Sequence, residues 1–177
     1  DNNWNVASTN NLVVTGGTLN ITAGNSVDGL NYVNNLTLDG GLVTGNPLRT
    51  GNTTNSVFNI VGTAPSTIAA GIYLVNDVDV TGIRTLTINT ADAVAGTDLL
   101  ISGAIRDLGQ NGTSPNRRGM DVLLNGPGTV ELTAANTYTG LTDVAAGTLV
   151  VNGSLASNTI VRSGASLMGT GVITGTV

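Results

Sequence analysis

The chain has 177 residues, enough for one domain with a sizeable core, and 40% of them are hydrophobic while only 10% are charged and 3% aromatic. It contains no Cys, His or Lys, which excludes thiol nucleophiles, imidazole bases, soft-metal centres and Schiff-base chemistry. The net charge of −5 argues against nucleic acid or an anionic membrane surface as a partner.

The first residues, DNNWNVASTNN, lack the basic start and apolar run of an export signal, and no later run approaches the length of a membrane span. Alternating segments then recur: TLNIT at 18–22, NLTLD at 35–39, TLTIN at 85–89, VLLN at 122–125, TVELT at 129–133 and TLVVN at 148–152. Each places two aliphatics two apart, so Leu19/Ile21, Leu36/Leu38, Leu86/Ile88, Val122/Leu124, Val130/Leu132 and Leu149/Val151 each share a face of a half-buried strand. Glycine breaks at Gly17, Gly41, Gly62, Gly82, Gly103, Gly126, Gly147 and Gly164 separate the runs every 17 to 24 residues. No segment reads as a helix, and ADAVA at 91–95 is too short to count as one.

A repeat near 20 residues with several short strands fits a sandwich of hairpins or a parallel β-helix whose coils stack at about 4.8 Å. The slim core residues and the scarcity of clear hairpin turns favour the β-helix. With 27 Thr and 22 Asn to cover its surface, such a coil can also line up side-chain hydrogen-bonding ladders. The expected architecture is therefore all-β: a single-stranded parallel β-helix over residues 1–177, of about eight coils and roughly 40 Å in length.

Residues 126–175, GPGTVELTAANTYTGLTDVAAGTLVVNGSLASNTIVRSGASLMGTGVITG, resemble the autotransporter-associated β-strand repeat. The residues on its pattern include Gly126, Gly128, Thr129, Leu132, Ala135 through Gly140, Thr142, Val144, Ala146 through Leu149, Asn152 and Gly153. Leu99 through Ile105 looks like the segment that commonly precedes it, so the resemblance covers residues 98–177. Leu141 stands for the usual Gly and Asp143 for the usual Thr. The resemblance implies a β-helical passenger or stalk of a bacterial surface or secreted protein, located outside the cell, with a role in passenger export and no enzymatic activity.

Several residues invite a chemical reading. Asn136 and Tyr138 form either a sugar-binding edge or, as we favour, a structural turn in which Asn136 satisfies backbone groups. Asp77 and Asp79 share a strand face and are a candidate for calcium or a glycosidase pair, with a solvated strand face as the simpler reading. The stretch 106–119 is the longest break in the strand rhythm and is expected to be an extruded loop, with Arg106, Arg117 and Arg118 placed to grip a partner's carboxylate. No cofactor is expected. The finish TGVITGTV alternates without charge, so the rod is expected to meet the rest of a longer passenger or other copies of itself head to tail. The sequence thus reads as a structural or adhesive rod, with surface glycans as a further partner class; the alternative is a polysaccharide-binding or -cleaving β-helix enzyme.

Overall fold

A computed structural model describes residues 11–22, 33–50, 55–75, 83–93, 95–107 and 119–177. Asp77, Asp79, Arg117 and Arg118 lie outside these residues. The described residues contain twenty strands and no helix.

The strands wind in seven coils, against the eight or so expected. The first holds β1 (Asn11–Thr15) and β2 (Thr18–Ile21). The next three each make three sides. They are β3 (Asn35–Asp39), β4 (Leu42–Gly45) and β5 (Leu48–Thr50), then β6 (Ser56–Ile60), β7 (Ser66–Ile68) and β8 (Ile72–Leu74). The fourth coil has β9 (Thr85–Thr90), β10 (Leu99–Ile101) and β11 (Ile105–Asp107). The fifth has β12 (Asp121–Asn125), β13 (Thr129–Leu132) and β14 (Ala135–Asn136). The sixth has β15 (Thr142–Val144), β16 (Thr148–Val151) and β17 (Ser154–Leu155). The seventh has β18 (Thr159–Val161), β19 (Ser166–Met168) and β20 (Val172–Ile173).

Every strand pairs in parallel with its counterpart one coil away. Two seven-stranded sheets result, β1-β3-β6-β9-β12-β15-β18 and β2-β4-β7-β10-β13-β16-β19. The third side is divided into β5-β8-β11 and β14-β17-β20. The fold is the parallel β-helix that the alternating runs predicted, and all six of those runs are strands.

A parallel sheet usually carries helices on both faces and reads as continuous apolar runs. Here one face closes on a shared core and the other meets water, so the strands alternate. All six predicted aliphatic pairs are buried, together with Phe58, Ile68, Ile72 and Tyr138. Register stacks like on like: Leu12, Leu36, Phe58, Ile88, Leu124, Val144 and Val161 form one inward column. On the outer face Asn59, Asn89 and Asn125 stand in register, and each amide donates to the one before it, at 2.9 and 3.0 Å.

The corner between the first two sides has one solution in all seven coils, a glycine in the left-handed region. Gly16, Gly17, Gly40, Gly62, Gly96, Gly126, Gly147 and Gly164 occupy it, with φ between +59° and +116°, a conformation that costs an L-residue about 1–2 kcal/mol. Gly96 serves the fourth coil, whereas the sequence periodicity pointed to Gly103, which lies in the link from β10 to β11.

Candidate functional site

The third side is broken between β11 and β14, and the Asn136-Thr137-Tyr138-Thr139-Gly140 turn spans that break. Thr137 N–H donates to the Ile105 carbonyl at 2.9 Å. The Ile105 N–H is accepted by Asn136 Oδ1, also at 2.9 Å, so a side-chain amide completes the ladder between the fourth and fifth coils. Asn136 Nδ2 donates to the carbonyls of Ala134 at 2.9 Å and Ser154 at 3.1 Å. Asn136 stands in register with Leu155 and, one coil further, Ile173, and only 1% of its surface is exposed. A polar group in an inward aliphatic column is tolerated here because both ends of the amide are hydrogen-bonded.

Tyr138 is fully buried, so its ring offers no surface on which a sugar can stack. Its hydroxyl lies 2.6 Å from Thr142 Oγ1, which in turn contacts Ser157 Oγ. Burial pushes the Tyr138 phenol above its usual pKa, and the bonds to Thr142 and Ser157 offset only part of that rise.

Thr139 acts on the preceding coil. Its N–H and its hydroxyl both donate to Asp107 Oδ2 at 2.7 Å, and its Oγ1 accepts the Gly119 N–H at 3.4 Å. Asp107 and Gly119 bracket residues 108–118, so Thr139 ties together the two ends of that segment. Asp107 Oδ1 is buried and has no partner among the described residues, and a Cβ at position 119 would stand 2.3 Å from it.

Four further carboxylates among the described residues each have hydrogen-bond partners of their own. Asp98, only 2% exposed, accepts the backbone N–H groups of Ala93 at 2.9 Å and Thr129 at 2.8 Å. Asp121 accepts the Leu141 N–H at 2.7 Å. Glu131 takes Thr97 Oγ1 and Asn152 Nδ2, both at 2.9 Å. Asp143 pairs with Arg162, whose hydrogen bond holds its carboxyl below the ordinary aspartate pKa. Among the described residues no group of three or more potential metal ligands converges.

Arg106 belongs to strand β11 and not to a loop, and its side chain is exposed. It lies in register with Tyr73 of β8, which lies in register with Arg49 of β5. The Arg49 guanidinium carbon is 5.9 Å from the centre of the Tyr73 ring. Neither Arg49 nor Tyr73 stands out in the sequence. The signal is the repeated triplet LRT, IYL, IRD, in which an outward residue sits between two inward ones, and it is legible only once the coils are aligned.

Residues 124–151 match the family model of the passenger-associated-transport-repeat. No curated protein and no solved structure matches the chain. The matched segment begins at Leu124, passes through Val144 directly above it, and ends at Val151 above Leu132. It therefore makes one full circuit of the helix plus the start of the next, with the Asn136–Gly140 turn inside it. The β-helix thus holds, from the end of β12 through β16, a stretch that matches the passenger-associated-transport-repeat.

Proposed function

We propose that this chain is a structural and adhesive rod segment of a bacterial passenger protein, exported to the cell surface or secreted. The observation that carries the reading is the Asn136 turn, because it joins the fourth, fifth and sixth coils through a single side chain within the matched repeat. A solenoid gains stability coil by coil from its neighbours. A repeat that locks adjacent coils together suits a passenger that must fold progressively as it emerges. The hydrogen-bonded carboxylates of Asp98, Asp121, Glu131 and Asp143 support the scaffold reading.

The last coil supports growth of the rod. Val161, Leu167 and Ile173, in register with the buried Val144, Leu149 and Leu155, are themselves only partly buried. A further parallel coil covers these residues, and it comes either from more of the same polypeptide or from a second copy. Electron microscopy of the purified chain over rising concentration tests the second source. Rods that lengthen with concentration support head-to-tail assembly; discrete short rods at every concentration refute it.

A further inference from the structure

The middle residues of β5, β8 and β11 make a row that runs along the axis of the helix. Leu48, Ile72 and Ile105, which precede them, point inward and are buried, so Arg49, Tyr73 and Arg106 point outward. Neighbouring strands lie about 4.8 Å apart, which puts the two arginine backbones about 10 Å apart with the tyrosine between them. Arg49 rests its cation over the Tyr73 ring, a contact that orients the side chain without using its N–H donors. Arg162 pairs with Asp143, whereas no ion pair to a described carboxylate is found for Arg49 or Arg106. In a chain of net charge −5, two of the six arginines stand in this one row, with Asp107 as the charged neighbour in β11.

We propose that the Arg49–Tyr73–Arg106 row binds an acidic polysaccharide, of the uronate class, laid along the helix axis. This goes beyond the scaffold reading and does not depend on it. A guanidinium fork matches a planar carboxylate with two parallel N–H···O bonds. Tyr73 presents an amphipathic edge to the sugar held between the two charges. A polymer with carboxylates at regular intervals suits charges held at a fixed spacing, and a stiff chain loses little conformational freedom on binding.

An acidic peptide fits less well. The β8 strand is already paired on both edges, so no open ladder is available for an added strand, and the row crosses the strands instead of following them. A densely charged sulfated chain is opposed by the net negative charge of the protein.

Calorimetric titration of the purified chain at low ionic strength tests the assignment, with oligogalacturonate as the probe and neutral dextran, heparin oligosaccharide and polyaspartate as comparisons. Oligogalacturonate is expected to bind, and to weaken as salt is raised. Arg49→Ala combined with Arg106→Ala is expected to weaken binding at least tenfold, and Arg106→Lys less than Arg106→Ala, because charge is kept and the fork is lost. Circular dichroism of each variant confirms folding; the three side chains point away from the core, so unchanged spectra are expected. If the double variant fails to fold, the comparison of Arg106→Lys with Arg106→Ala decides. Absence of oligogalacturonate binding, equal binding to dextran, tighter binding of heparin or polyaspartate, or indifference to the arginine substitutions overturns the proposal.

Discussion

Replacing Asn136 tests the coupling between coils directly. In Asn136→Leu the new side chain matches Leu155, with which it is in register, so volume and apolar packing are kept. The Ile105 N–H loses the Oδ1 that accepts it at 2.9 Å. A buried donor left without a partner costs about 1–3 kcal/mol, and the lost amide bonds to Ala134 and Ser154 add about 1 kcal/mol more. The Ala134 carbonyl still accepts the Ser154 N–H, which limits that second contribution. The expected destabilisation of about 2–4 kcal/mol is a large share of the roughly 5–15 kcal/mol available to a domain. Because the loss falls at the two interfaces of the fifth coil, coils on either side should uncouple and the unfolding transition should broaden. Urea denaturation followed by far-ultraviolet circular dichroism measures the first effect, and hydrogen exchange at Ile105 measures the local one. A change below about 0.5 kcal/mol, typical of an unconstrained surface position, together with unaltered exchange at Ile105, would refute the bridging role.

Four further outcomes follow from the same geometry. Tyr138→Phe removes one buried hydroxyl bond and should cost about 1 kcal/mol, whereas Tyr138→Ala should cost about 3–5 kcal/mol by opening a cavity; thermal melts compare the two. The raised Tyr138 pKa stabilises the fold below the unfolded-state tyrosine pKa, and that contribution is lost as pH climbs through the folded value. Ultraviolet titration should therefore show one phenolate appearing only together with alkaline unfolding, and free titration of all three tyrosines contradicts this. Gly147→Ala meets both a φ of +70° and a Cβ position 2.3 Å from the Gly128 carbonyl oxygen, while Gly164→Ala meets only the strained φ, about 1–2 kcal/mol; equal losses in denaturant would show that the close approach is unimportant. Arg162→Ala should return the Asp143 carboxyl toward its ordinary pKa, read by NMR titration. Because the folded-state pKa of Asp143 is depressed, the pair contributes above the unfolded value and fades as pH falls through the folded one.

The pattern at Leu86-Thr87-Ile88 shows how much of the fold is written locally. Period-2 alternation follows from strand geometry alone, and one buried face is enough to impose it, so the inward residues could be assigned from the sequence. The three-residue strands such as Ile72–Leu74 are too short for alternation to register, which is why the third side was not visible. The corner glycine of the fourth coil escapes a fixed interval for a related reason: eight residues, 91–98, separate β9 from β10, so the periodicity points to Gly103 and not to Gly96.

Strand character, the inward face of each long run and the repeat resemblance over 126–175, which the family model matches over 124–151, are all legible in the chain, because these depend on residues within about one coil of one another. That Asn136 reaches Ile105 and Ser154, that Thr139 holds Asp107, and that Arg49, Tyr73 and Arg106 form one row emerges only from the stacked coils. Those contacts join residues 18 to 33 positions apart, and coil lengths vary. The side chains that meet are therefore set by the register of parallel hydrogen bonding between coils, a property of the stacked backbone and of no single stretch of sequence.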